Sequence, residues 1–207
     1  MPTESAERTE STQDDRPILL RGHKVGLALM RRDDVPIIAR WNQDLEFTAR
    51  LGSPGEAHSQ EMRQEFFDKN ARMRSDSIEF AVVLLATGQL VGFGGLFDIS
   101  RALTANLFVG IGERDHWGQG LGSEATRLIC EYGFFFKNLH NIKVEVNGYN
   151  QRALRVYERL GFKPAGRLRG VILMNGTRYD QVIMDLLRQE LALQHVTRLQ
   201  CVDGAPA

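Results

Sequence analysis

Apolar and polar positions along the chain follow two periods, and the switches between them mark out the elements. Residues 24–29 form a short run of strand length, after which Asp33, Asp34 and Pro36 open a helix with Val35, Ile38 and Trp41 on one face. A second helical pattern begins near Ser59 and carries Met62, Phe66 and Phe67 towards Met73. Residues 78–85 and 90–97 read as strands joined through Thr87-Gly88, and residues 103–112 as their neighbour. Leu121, Ala125, Leu128, Ile129, Tyr132, Phe136 and Leu139 then recur at helical spacing. Residues 142–146 make another strand. A helix follows, capped by Asn150, with Ala153, Val156, Tyr157 and Leu160 on its apolar face and Gly161 and Pro164 as its stop signal. Residues 168–174 and 177–187 flank Asn175-Gly176, the strongest short hairpin pair because both residues accept positive φ. The order is strand, two helices, three strands, helix, strand, helix, two strands. It predicts a single α/β domain over residues 18–190, with a sheet of mixed direction and no internal repeat.

Composition narrows this picture mainly by exclusion. The 207 residues carry 26 basic and 26 acidic side chains, so no bulk charge draws the chain to nucleic acid. Residues 1–17 form a polar tail, expected to be disordered for want of apolar side chains and lacking the core of a signal peptide. No run is long enough to span a bilayer, and the expectation is a cytoplasmic protein without a membrane partner. Residues 191–207 read as an extension, with a short helix somewhere in 188–200 and a frayed end from Val202. Cys130 and Cys201 stand far apart, and Cys130 sits in a helical apolar pattern that favours a buried free thiol. The histidines 23, 58, 116, 140 and 195 are scattered, and nothing suggests a metal site.

Candidate chemistry is concentrated between Gly110 and Phe162, around Trp117-Gly118-Gln119-Gly120-Leu121-Gly122. Glycine at every second position lets a backbone wrap closely round a ligand and tolerates positive φ. The turn opens a helix, whose unpaired N-terminal amides suit phosphate oxygens. A Walker loop would need Gly-Lys-Ser/Thr, and a dinucleotide fold G-x-G-x-x-G near the start of a βαβ unit; neither is present. Two readings of the loop remain, a site for an anionic, diphosphate-like ligand and a tight strand-to-helix connection.

The pairing of Trp117-Gly118-Gln119-Gly120-Leu121-Gly122 with the downstream pattern Asn150, Ala153, Tyr157, Gly161, Phe162 resembles the GNAT superfamily of acetyl-CoA-dependent N-acetyltransferases. The tail from Gly166 through Asn175-Gly176-Thr177-Arg178-Tyr179-Asp180 to Met184 is similar to the branch of ribosomal-protein N-terminal and spermidine acetyltransferases. The likeness spans about Leu20 to Glu190. It implies a mostly antiparallel central sheet flanked by helices, with a splayed strand pair that takes the pantetheine arm of the coenzyme. It further implies coenzyme contacts from Ile111, Gly112, Trp117, Gly118, Gln119, Gly120, Leu121, Gly122, Asn150, Arg152 and Tyr157, with no metal.

Acetyl-CoA is then the acyl donor, and a primary amine, small molecule or protein N-terminus, attacks directly. A backbone amide of the strand 110–112 would stabilise the oxyanion. Tyr157 has two readings, a core residue and the acid that protonates the leaving thiolate; Asn150 likewise caps its helix, touches the pantetheine, or does both. Glu145 and Glu79 are the candidate bases. Residues 42–58 read either as a surface connection or, by the resemblance, as the loop that covers the acceptor. Many loops of this family begin with Gln or Arg where Trp117 stands, so Arg114, His116 or Arg127 would supply phosphate charge. A homodimer is compatible with this reading, as is a regulatory acyl-CoA-binding domain without turnover.

Overall fold

The computed structural model describes residues 16–71 and 76–196. One eight-stranded sheet organises it, with strands β1 (Ile18–Arg21), β2 (Val25–Leu29), β3 (Ile78–Leu84), β4 (Leu90–Phe97), β5 (Thr104–Ile111), β6 (Asn141–Asn147), β7 (Lys163–Met174) and β8 (Thr177–Leu187) in the order β1-β2-β3-β4-β5-β6-β8-β7. Every neighbouring pair is antiparallel except β5 and β6. The sheet of mixed direction expected from the pattern forms, and it is mostly antiparallel as the family resemblance implied.

Helices cover both faces, so the central strands alternate between two apolar environments. Phe80 and Val82 of β3 point to the face covered by α4 (Leu121–Phe136), where Leu128, Ile129 and Phe134 are fully buried. Ala81 and Val83 point to the opposite face, against Ile38 and Trp41 of α1 (Val35–Asn42) and Phe47 of α2 (Leu45–Leu51). Two further helices, α3 (Gln60–Ala71) and α5 (Gln151–Leu160), complete the layers. Removing a fully buried side chain such as Leu128 would cost about 2–5 kcal/mol.

Four parts of the chain differ from the sequence reading. Strand β1 begins at Ile18, and Arg16, assigned to the polar tail, forms a two-pronged ion pair of 2.9 and 2.7 Å with buried Asp34. Helix α2 occupies part of the stretch read as a connection, capped by the Asp44 side chain, which accepts from the amides of Glu46 and Phe47. Strand β7 starts at Lys163, five residues before the predicted Leu168, and absorbs Pro164 and Gly166 through a register shift beside β8. At the C-terminal end a 3₁₀ turn, Arg188–Glu190, opens the stretch 188–200 in which a short helix was expected, and residues 197–200 of that stretch lie outside the described residues.

The hairpin at Asn175 and Gly176 forms with both φ values positive, 49° and 74°. Cys130 is buried and free, and burial pushes its thiol well above the ordinary value. Residues 1–15, 197–207 and the residue Cys201 lie outside the described residues, as does Met73. Among the described residues no helix is long and apolar enough to cross a membrane, and no cluster of His, Cys, Asp or Glu is placed to hold a metal.

Candidate active site

Strands β5 and β6 run parallel for only three residue pairs, Thr104 with Asn141, Ala105 with Ile142 and Asn106 with Lys143. Beyond them each strand keeps its other neighbour. Strand β5 stays paired with β4 as far as Ile111, and β6 with β8 as far as Asn147. The two therefore diverge, and a gap opens between Leu107–Ile111 and Val144–Asn147. A cavity of about 450 Å³ occupies it, lined by both strands, the glycine turn, the first turn of α4 and one side of α5.

The edge that β5 presents to this gap follows from its pairing. The Gly112 amide donates to the Val91 carbonyl at 2.9 Å, so antiparallel alternation turns the amides of Gly110 and Gly112 towards β4 and those of Val109 and Ile111 towards the gap. Of the strand 110–112, Ile111 alone can offer an amide there. Gly112 has a different reason to be glycine: a Cβ would lie 1.9 Å from the Trp41 ring. It is absent from the lining of the cavity, next to Ile111, which lines it.

Gly118 and Gly120 take φ of 90° and 84°, values that L side chains rarely adopt, whereas Gly122 already belongs to α4. The first bond of α4 runs from the Glu124 amide to the Gly120 carbonyl at 3.1 Å. The amides of Leu121, Gly122 and Ser123 thus start the helix without an intrahelical acceptor, a ready site for phosphate oxygens. Gly118, Gly120, Leu121 and Gly122 all line the cavity. Gln119 does not; its side-chain amide donates to the Asp115 carbonyl at 2.8 Å and its own carbonyl accepts from Lys24 at 3.1 Å.

Of the three residues expected to supply phosphate charge, His116 lines the cavity and the two arginines are engaged elsewhere. Arg114 is held by Asp44 and Glu46, each within 2.8 Å, and Arg127 donates to the Ala192 carbonyl at 3.2 Å. Arg50, Arg152, Arg155 and Arg159 line the cavity with His116. Trp117 donates its indole N–H to the Ile111 carbonyl at 2.6 Å and carries the Arg50 guanidinium 4.4 Å above its ring. It pins the end of β5 to the turn and supports an arginine that the sequence did not single out.

Asn150 caps α5, its Oδ1 accepting from the Ala153 amide at 3.1 Å, while its Nδ2 donates to the Arg50 carbonyl at 3.0 Å. Two neighbours do the same for the rest of the α2 terminus. Asn147 Nδ2 donates to the Gly52 carbonyl and to the Tyr149 hydroxyl, and that hydroxyl donates to the Ala49 carbonyl at 2.7 Å. The end of α2 is thus strapped across the mouth of the gap. Tyr157, about two turns past the Asn150 cap of α5, lines the same cavity with its ring edge-on to Phe162. Burial, with a smaller contribution from Cys130, pushes its phenol above the ordinary value of 10.0, so it holds its proton at neutral pH.

A second cavity, of about 690 Å³, adjoins the first and shares Leu51, Gly52, Leu107, Phe108, Glu145 and Asn147 with it. The two candidate bases part company here. Glu145 is exposed on β6 and faces both cavities. Glu79 lines only the second and is buried against Arg63 at 2.6 Å; burial raises its carboxyl while the guanidinium opposes that rise.

A gap between parallel strands, a glycine turn at a helix N-terminus and a second cavity meeting the first are the parts an acyl-CoA-dependent transferase requires, and the comparisons agree. The family model described as Acetyltransferase (GNAT) domain matches residues 24–163. The chain is 25% identical over 171 residues to an uncharacterized N-acetyltransferase, p20, of Bacillus licheniformis, covering 82% of this chain and 96% of that one. It is also 25% identical over 176 residues to spermidine N(1)-acetyltransferase of Escherichia coli K12, covering 84% and 92%. The crystal structure of spermidine N-acetyltransferase from Vibrio cholerae in complex with CoA and spermine superposes with a TM-score of 0.74 at 24% identity, over 81% of this chain and 97% of that one. The chain belongs to the GNAT acetyltransferase family and is an N-acetyltransferase that uses acetyl-CoA.

Proposed function

We propose that the strand gap holds the pantetheine arm, that the turn from Gly118 to Gly122 and the first amides of α4 take the pyrophosphate, and that a primary amine enters through the second cavity. The observation that carries this reading is the meeting of the two cavities at Glu145 and Asn147, between the ends of β5 and β6. Acetyl-CoA supplies an activated acyl thioester, and the chain's own residues supply position and proton traffic. Backbone edges of β5 and β6 align the donor, and the strapped end of α2 limits where the amine can stand. The Ile111 amide, turned into the gap, suits charge developing on the thioester oxygen.

Glu145 is the base in this reading, because it faces both cavities while the Glu79 carboxylate is engaged by Arg63. Tyr157, protonated and lining the donor cavity, is the acid for the departing thiolate. The need for a base depends on the acceptor: an α-amine titrates near ~8 and an alkyl amine near ~10.4. Spermidine, named for the E. coli relative, is one acceptor to test, beside aminoglycosides and N-terminal peptides. The same reading has the protein cytoplasmic and accommodates a homodimer.

Incubation with acetyl-CoA and this amine panel, monitored by free thiol, should give turnover with at least one acceptor. Binding of the coenzyme without turnover of any amine would favour a regulatory domain. Gly120→Val tests the phosphate turn. At φ 84° a β-branched residue is strongly disfavoured, so coenzyme affinity should fall at least about tenfold while the fold persists. Unchanged affinity in a titration would remove the turn from the site.

A further inference from the structure

The second cavity carries more information about the acceptor than its size. Five carboxylates line it, those of Glu56, Asp76, Glu79, Asp98 and Glu145, which at first suits a polycation. Most are already engaged. Glu79 is paired with Arg63 at 2.6 Å, Asp98 accepts from Asn106 at 3.0 Å, Glu56 lies 3.9 Å from His58, and Asp76 has a partner within the protein. Glu145 alone has no partner among the described residues, and it stands where the two cavities meet.

The remaining wall mixes polar side chains, among them Asn42, Thr48 and Gln181, with a row of aromatic rings. The Arg63 guanidinium sits 5.1 Å from the Phe66 ring and 5.2 Å from the Phe93 ring, and Phe108 continues the row to Phe97 with ring centroids 6.0 Å apart. Phe66 and Phe97 are 44% and 40% exposed, and Met62 beside them is 55% exposed. Large apolar side chains left uncovered around one concavity next to a reactive site indicate an apolar occupant. One available carboxylate at the inner end and an aromatic rim at the outer end fit a molecule with one ammonium and one apolar body.

Resting on the amine-acceptor reading above, we propose that the preferred acceptor is a small primary monoamine bearing an aromatic or branched apolar group, its nitrogen at Glu145 and its body between Phe66 and Phe97. A linear polyamine leaves the aromatic rim unused and finds a single carboxylate for its several charges.

The test is a comparison of kcat/KM at saturating acetyl-CoA for 2-phenylethylamine, 3-methylbutylamine, ethylamine and spermidine. The two apolar amines should exceed ethylamine at least tenfold and exceed spermidine. Phe66→Ala and Phe97→Ala, made separately, should each cut the preference for 2-phenylethylamine over ethylamine about fivefold without changing coenzyme affinity. Both residues are partly exposed, and a thermal unfolding curve on each variant excludes loss of fold as the cause. A higher kcat/KM for spermidine than for both apolar amines would overturn the inference and leave acetyl transfer standing, as would a preference unchanged in both variants. Absence of turnover with all four amines and with the wider panel, although coenzyme binds, would overturn the transfer reading and this inference with it.

Discussion

Tyr157 stands 7% exposed between the coenzyme cavity and the core, so packing and chemistry make separate demands on it. Tyr157→Phe keeps the ring edge against Phe162 and removes only the hydroxyl. If that hydroxyl protonates the leaving thiolate, the chemical step should slow on the order of 10²- to 10⁴-fold while coenzyme affinity holds. Single-turnover rates check this, and a rate within a few-fold of the parent would leave the thiolate to depart without help from Tyr157. The buried phenol also has a consequence for stability. Its folded pKa lies above the ordinary 10.0, so its contribution is complete below pH 10 and is lost as pH rises through the folded value. Cys130, raised from 9.0, acts in the same direction. Alkaline unfolding should therefore begin near pH 9–10, and Tyr157→Phe should soften its upper part.

Glu79 shows at the same scale why a carboxylate cannot be read from a strand pattern. Sequence alternation gave it a place near a strand start but no view of Arg63, sixteen residues earlier on α3. Glu79→Gln would strand a buried guanidinium and should cost about 3–5 kcal/mol. Adding Arg63→Met should recover much of that stability, and activity per folded molecule should follow. A base would behave otherwise, its loss of turnover surviving the second substitution. Measuring urea unfolding and turnover on the single and double variants separates the two cases.

At the scale of elements, what was legible depended on length and on glycine. The sixteen residues of α4 and the ten of α5 repeat their apolar face often enough to be seen, and the glycine turn and Asn150 cap mark their starts. Helix α2 has seven residues, too few for a repeat, so only the Asp44 cap and the Gly52 stop could have announced it. Strand β7 hid behind Pro164 and Gly166, residues tolerated because β7 is the sheet's last strand and owes hydrogen bonds on one side only. The strap from Asn147 and Tyr149 to α2 joins residues about a hundred apart and leaves no local signature. It is nevertheless a testable part of the site. Tyr149→Phe removes the bond to the Ala49 carbonyl and the acceptor of Asn147 Nδ2. The fold should lose about 1 kcal/mol, while KM for the acceptor rises several-fold and coenzyme affinity stays within twofold. Equal changes in both ligands would mean that the strap supports the whole cleft and does not position the amine.

For the molecule as a whole, the question is where the fold begins. Residues 1–17 read as polar and expendable, yet Arg16, the first of the described residues, sets its guanidinium against Asp34, 2% exposed, in the turn that leads into α1. Asp34 also accepts from the Arg31 amide at 2.7 Å, so the pair fixes the approach of the chain to α1 and through it Trp41 against Gly112. Two residues later β1 pairs with β2, which is buried over Val25–Ala28 and would become an open apolar edge without it. Three trimmed proteins should therefore behave in steps. One beginning at Arg16 should match the full chain in thermal stability and turnover. One carrying Arg16→Ala in addition should lose about 3–5 kcal/mol, because Asp34 keeps its burial and loses its counter-charge. One beginning at Gly22 should aggregate during expression or refolding, since the β2 edge is then free to pair with another copy. Light scattering and calorimetry on the three would decide it, and a protein starting at Gly22 that stays monomeric with full stability would show that the sheet needs neither β1 nor the Arg16 pair.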